Sequence, residues 1–218
     1  MGRLSSASID YSDYMSQGDI ISGKKVEDLH TESFNGHGVF IAPNSRISCF
    51  KFSIGEFSRI SGPATIEGTG SCRIGKFCAM GDGVNIITNN SKMNRLSLQN
   101  TLHQRHGFSK IRGSKGDVNI KNNVWIGDNV LILSGIEIGD GAVVGSGSVV
   151  CENLRPFSMS IGAPARVIRM RFSKSIIRQL MDIRWWDWSE EKISKNKQFF
   201  EVDLTQNPDI ELKNLIVQ

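Results

Sequence analysis

Four histidines, His30, His37, His103 and His106, are the side chains of this 218-residue chain best suited to exchange a proton near neutral pH. His103 and His106 share the segment 88–117, which also carries Lys92, Arg95, Arg105, Lys110, Arg112 and Lys115 against one acid, Asp117. A second basic run, 153–181, holds Arg155, Arg166, Arg169, Arg171, Lys174 and Arg178 with no acid at all. Guanidinium groups grip phosphate through two parallel hydrogen bonds. The chemistry on offer is a histidine taking a proton from a hydroxyl or amine, and the basic runs read either as a site for a polyanion such as a multiply phosphorylated cofactor or as a solvated surface. The net charge is only +4, too mild to argue for nucleic acid. The four cysteines, Cys49, Cys72, Cys78 and Cys151, form no CxxC pair, no metal cluster is evident, and no Ser-His-Asp order is recognisable.

What positions these residues is a repeat. Ile120, Ile126, Ile132, Ile138, Val144 and Val150 are spaced six apart. Two residues before them stand Val118, Val124, Val130, Ile136, Ala142 and Ser148, and Gly127, Gly139 and Gly145 follow three of the anchors. The same period runs through Ile41 and Ile47, then Ile54, Ile60 and Ile66, then Ile74, Met80 and Ile86, with one extra residue before Ile54 and two before Ile74. Six residues make one short strand and one turn, and three such hexads make a triangular coil of 18. Anchors point inward and stack coil upon coil. Cys72 and Cys78 occupy the position two before an anchor and read as small buried residues. Glycine, 22 of the 218 residues against a usual share of about 7%, suits tight corners. The helical period of 3.6 is absent from 118–150.

The chain divides into a polar lead-in, 1–38, which contains His30 and His37; coils over 39–165 with a loop excursion at 88–117; and a helical segment, 166–218. The excursion is required because Ile86 and Ile120 are 34 apart, which six does not divide. In the tail, Ser173 is expected to cap a helix with Ile176, Ile177, Leu180, Met181 and Trp185 on one face. Asp187 with Glu190 fits a capping box for a second helix, and Pro208 can open a last one ending near Val217. The tryptophans of the tail read as packing. Met1 to Gly18 has no apolar core of a secretory leader, and no apolar run is long enough to span a membrane, so a cytoplasmic protein is expected.

The residues Ile74-Gly75-Lys76-Phe77-Cys78, Val124-Trp125-Ile126-Gly127, Gly162-Ala163-Pro164-Ala165, Arg171-Phe172 and Trp185-Trp186-Asp187-Trp188 resemble the hexapeptide-repeat acyltransferases, nearest the xenobiotic acetyltransferase branch and related polysaccharide O-acetyltransferases. The resemblance spans roughly 74–193. It implies a mainly β fold, a left-handed parallel β-helix with an extended loop and a helical tail. It also implies acetyl-CoA as cosubstrate, lying along one prism edge between subunits of a homotrimer. Gly127, Gly145 and Ala163 are 18 apart, so on this reading they line that edge, a groove of small residues for pantetheine. Arg166 and Arg169 follow and would meet the nucleotide phosphates. Small residues equally suit corners with no groove.

The chain departs from the antibiotic-modifying members at one point. Those carry an Asn-His-Arg run whose histidine is the base. Here the corresponding place reads Asn90-Ser91-Lys92-Met93, and serine cannot replace imidazole. The base is then His103 or His106, His103 being preferred, with Asn90, Ser91 and Trp125 beside the acceptor, or it has been lost. The resulting expectation is acetyl transfer to a sugar hydroxyl or amine, in surface-polysaccharide or glycoconjugate assembly. Xenobiotic O-acetylation is the alternative, and a catalytically silent trimeric scaffold the third reading.

Overall fold

The computed structural model describes residues 38–113 and 115–217. They form a triangular prism of parallel strands. Face A carries β1 (Phe40–Ile41), β4 (Arg59–Ile60), β7 (Ala79–Met80), β12 (Trp125–Ile126), β15 (Val143–Val144) and β17 (Ser158–Ile161). It ends on β18 (Arg166–Met170), which pairs antiparallel with β17. Face B carries β2 (Arg46–Ser48), β5 (Thr65–Glu67), β8 (Asn85–Ile87), β13 (Leu131–Ile132) and β16 (Val149–Val150). Face C carries β3 (Lys51–Ile54), β6 (Ser71–Ile74), β11 (Val118–Ile120) and β14 (Glu137–Ile138), with Leu154 bridging to Ile138.

The six-residue anchors are what the faces share. On face A, Ile60 pairs with Met80, Met80 with Ile126, and Ile126 with Val144. On face B, Ile66 pairs with Ile86 and Ile86 with Ile132. On face C, Ile74 pairs with Ile120 and Ile120 with Ile138. Most anchors and residues two before them, including Cys72 and Cys78, are buried in one continuous column, with Val39, Phe52 and Ile54 partly buried against it. Each coil donates its amides to the next, as in Gly81 N–H to Ile126 O and Gly127 N–H to Val144 O.

The last coil corrects one sequence expectation. Val144 pairs with Ser160, 16 residues on, because Val150 to Leu154 is four residues and not six. Gly145 therefore lies against the Ile161 side chain, while Ala163 sits in the turn between β17 and β18. Ala163 is not part of the small-residue stack. Nor is that stack an empty groove. A methyl group on Gly127 would lie 2.7 Å from the Ser146 nitrogen, so glycine is there because the next coil's backbone needs the space.

The tail is a separate small core set on the corner between faces C and A. Ser173 caps α2 (Lys174–Ile183) as expected, its hydroxyl accepting from the Ile176 amide. The second cap differs from expectation. Ser189, not Asp187, caps α3 (Glu190–Lys195) by accepting from Lys192 N–H. Next come α4 (Lys197–Glu201) and a 3-10 turn at Leu212–Leu215, where a Pro208-led helix was expected. Trp186, Ile176, Leu180, Phe199 and Leu212 are buried together with Phe157.

The corner itself shows why the tail docks there. Phe57, Phe77 and Phe157 have φ of 58°, 55° and 55°, a left-handed conformation that costs a bulky residue about 1–2 kcal/mol. Each ring is thereby thrown outward and finds partners. Phe57 stacks on Phe77 at 5.1 Å, and Phe77 meets Trp185 at 4.9 Å. Arg171 stands 4.9 Å over Phe172 and donates to Gly141 O at 2.8 Å. Burial lowers the Arg171 pKa, and the cation-π contacts stand in for a counter-ion.

Two outcomes follow from this packing. Gly127→Ala is expected to destabilise the fold by about 1–3 kcal/mol through overpacking, read as a lowered melting temperature. Burial pushes the Cys78 thiol up to about 11 and raises Cys49 and Cys72 as well, whereas Cys151 is exposed. At pH 8 the folded protein should therefore react quickly with one equivalent of a thiol reagent, and with four only after denaturation. Fast reaction of a second thiol would contradict the packing.

Candidate functional site

The loop leaves between β8 and β11, at the corner of faces B and C. Its base is a two-stranded ribbon, β9 (Asn90–Ser91) against β10 (Arg112–Gly113), closed further by Lys92 N–H to Ile111 O at 2.8 Å. Asn90 is turned onto its own backbone, its Oδ1 accepting from Ser91 N–H at 2.8 Å. Beyond the ribbon lies α1 (Asn100–Arg105), a six-residue helix with no side-chain N-cap. The loop was expected from the broken period, but its helix was not.

The two loop histidines are placed differently. His103 is 8% exposed, and both its ring nitrogens face backbone carbonyls of the loop itself. Nδ1 is 2.9 Å from Ser109 O and Nε2 is 3.2 Å from Ser97 O. A ring carrying one proton donates to one of them, and engaging both takes two protons. In either case no free lone pair is presented for a substrate. His106 follows α1 and is exposed, its ring stacked on Phe108 at 5.7 Å and 26°. The sequence preference for His103 as the base is thus not what this geometry favours. Phe108, which sequence reasoning passed over, touches both histidines, meeting His103 edge-on at 5.7 Å. Its position two residues after His106 was the available signal.

Trp125 is 47% exposed on the outer surface of face A. It belongs to a column set by strand register: Phe40, Arg59, Ala79, Trp125, Val143, Met159 and Arg169. Five of the seven are apolar. The corresponding row on face C is polar, with Ser53, Arg73, Asn119 and Glu137 in register. In a triangular prism the B/C corner, where the loop leaves, is opposite face A. No hydrogen bond, ion pair or ring contact joins either histidine to Trp125. The proposed base and the proposed acceptor platform are therefore not brought together within one chain.

Gly127 and Gly145 do share the A/B corner, one coil apart. Below them β18 presents Arg166 and Arg169. Arg166 is tied to Glu152 at 3.1 Å, whereas Arg169 is exposed and has no acidic partner among the described residues. His30 and His37 lie outside the described residues. Among the described residues no three His, Cys, Asp or Glu side chains converge to hold a metal ion, and no helix is long and apolar enough to cross a membrane. A cavity of about 570 Å³ opens in the tail between Lys197, Glu201, Ile210 and Leu215, on elements that carry none of these residues.

The bacterial transferase hexapeptide family model (six repeats) matches residues 117–152, the stretch where the period is unbroken. A probable macrolide acetyltransferase of Lysinibacillus sphaericus is 40% identical over 131 residues, covering 56% of this chain and 73% of that protein. The chain belongs to the hexapeptide-repeat transferases. A chloramphenicol acetyltransferase of Escherichia coli is 35% identical over 134 residues, covering 58% of this chain and 64% of the relative, a little under two thirds of its length. Among solved structures, a maltose O-acetyltransferase from Clostridium difficile 630 superposes with a TM-score of 0.50 at 28% identity, over 61% of this chain and 66% of that one. An N-acyltransferase from Bacillus cereus superposes at 0.55, with 24% identity over 67% of this chain and 77% of that one, a likeness of fold. The curated relatives it matches in sequence are named as acetyltransferases. Its two irregular first coils and its loop lie outside the matched segment.

Proposed function

We propose that this chain transfers an acetyl group from acetyl-CoA to a hydroxyl or amine of a sugar, as a homotrimer whose sites lie between subunits. The observation that carries the reading is the separation just described. A loop with an exposed histidine leaves one corner, and a largely apolar face with an exposed tryptophan lies opposite. A neighbouring copy that sets its loop against this face unites the two halves and covers the apolar column at once. Trp125 then offers a flat ring for the apolar side of a sugar.

Within such a site the residues divide the work. His106 accepts the proton of the acceptor hydroxyl as its oxygen attacks the thioester carbonyl carbon. The tetrahedral intermediate collapses, the carbon–sulfur bond breaks, and the leaving sulfur takes a proton to become the free thiol. Asn90 and Ser91 lie at the root of the same loop as secondary acceptor contacts, and the pantetheine arm runs along the A/B corner past Gly127 and Gly145. Arg169, with Arg166 once released from Glu152, holds the nucleotide phosphates. No covalent enzyme intermediate is needed, since both substrates are bound together.

Sugar acceptors are favoured by the exposed tryptophan, by the absence of the Asn-His-Arg base at 90–92, and by the likeness to the maltose enzyme. A role in surface-polysaccharide or glycoconjugate assembly in the cytoplasm follows from that preference. The relatives named for macrolide and chloramphenicol acetylation support xenobiotic O-acetylation as the second reading.

The test is free-thiol release from acetyl-CoA across sugars, sugar nucleotides, chloramphenicol and macrolides, using Cys151→Ser to remove the protein's own exposed thiol. A sugar should be the best acceptor, and His106→Ala should lower kcat by about 10²–10⁴-fold. Equal turnover of an antibiotic would install the second reading. Silence across the panel would favour a scaffold. Light scattering should give three times the chain mass, and a monomer active at all dilutions would defeat the shared site.

A further inference from the structure

We infer that His103 is a positioning residue, which acts through the Phe108 ring to hold the catalytic base His106 in place. The inference rests on the assignment of His106 above and goes beyond it.

Three rings stand in a row. His103 meets Phe108 edge-on at 5.7 Å and 83°, and Phe108 stacks against His106 at 5.7 Å and 26°. At one end of the row the His103 ring spans the loop. One nitrogen faces Ser97 O, before α1, and the other faces Ser109 O, after it. A single side chain thus ties the entry of the loop to its exit. The His103 carbonyl adds a third tie, accepting from Phe108 N–H at 2.7 Å.

Among the described residues between the ribbon and the tip, the buried side chains are His103 and Ile111. A helix of six residues without a side-chain cap does not hold itself in water. His106 is exposed and has no hydrogen-bonded partner on its ring among the described residues, so its orientation depends on the ring it stacks against. An imidazole free to swing loses the near-attack geometry that makes a general base effective, and displacements of about 1 Å can cost about 10²-fold in rate. The stack leaves the edge of the His106 ring, where both nitrogens lie, clear of Phe108. Phe108 is itself exposed and is held by His103, so removing His103 unbacks the whole row.

The experiment is steady-state kinetics from pH 6 to 9 on the full chain, with the best acceptor of the panel, for His103→Ala, His103→Gln, Phe108→Leu, Phe108→Tyr and His106→Gln. His106→Gln should abolish the acid limb of kcat along with most activity. His103→Ala and Phe108→Leu should each lower kcat about 10-fold or more with KM for acetyl-CoA unchanged and the acid limb retained. Phe108→Tyr, which keeps the ring, should restore kcat, and His103→Gln, which keeps one donor, should restore part of it. The double variant should be little worse than either single one, since both act through one path. Phe108→Leu leaves the two His103 bonds in place, so wild-type kcat in that variant overturns the inference even if His103→Ala fails to fold. Loss of the acid limb in His103→Gln but not in His106→Gln also overturns it, making His103 the base. NMR provides a readout free of activity. The His106 ring protons should be shifted upfield by Phe108 in the native protein and revert in Phe108→Leu and His103→Ala, and an unshifted ring in the native protein defeats the inference. If no acceptor is turned over but that shift is present, the assignment of function fails and the ring row stands.

Discussion

Everything in this molecule depends on the backbone ladder between successive coils. A coil must return its strands to within hydrogen-bonding distance of the previous ones, on three faces at once. A change in coil length therefore has to be absorbed at a corner. All four departures from the six-residue period fall at one corner, between faces B and C. There is one extra residue between Ile47 and Ile54, two between Ile66 and Ile74, the long loop between Ile86 and Ile120, and two fewer between Val150 and Leu154. The A/B and C/A corners keep the six-residue spacing in every described coil. The A/B corner is stitched by side chains reaching up one coil, Asp128 Oδ1 accepting from Asp82 N–H at 2.8 Å and Ser146 Oγ from Asp128 N–H at 3.1 Å. The C/A corner is roofed by the tail. The loop leaves from the corner at which the irregular spacings of the described coils fall.

The tail and the left-handed phenylalanines depend on each other in the same way. A phenylalanine with positive φ would be a poor choice at an exposed corner, where asparagine, as at Asn129, adopts the conformation at less cost. Phe57, Phe77 and Phe157 are all at the C/A corner, and the rings of Trp185 and Phe172 lie against two of them. Stacking of this kind contributes about 0.5–1.5 kcal/mol per pair, comparable with the backbone strain. The tail is thus held by the coil geometry and at the same time makes that geometry tolerable.

These dependencies explain what the sequence made legible. The prism, the excursion of the loop, the burial of Cys72 and Cys78 and the Ser173 cap could be read from it because each follows from a local period or a local hydrogen bond. Ala163 was misplaced because a count of 18 assumes every corner is regular, and the last coil is two residues short. Asp187 was mistaken for a cap because Ser189 lies two residues on with the same capability, and only the 3-10 turn at Trp185–Asp187 decides between them. The environments of the loop histidines were illegible. Nothing in the order Ser97, His103, Ser109 indicates that two carbonyls will close on one ring, since that is a property of the loop's path and not of any repeat.

The outer surfaces complete the argument. Face C carries Arg73, Asn119 and Glu137, with ion pairs from Arg73 to Asp117 and Lys121 to Glu137, and is made for water. Face A carries Ala79, Trp125, Val143 and Met159 in unbroken register, Trp125 exposed and the other three half-buried among the described residues. Apolar surface of this kind gains about 25 cal/mol per Å² on being covered. If a second copy covers it, association and acceptor binding share Trp125, because the same ring lies in the middle of the column and at the proposed site. The two roles are then inseparable by a single substitution at Trp125. The loop of the neighbouring copy shares in both roles on that reading, so a substitution there bears on assembly as well as on catalysis.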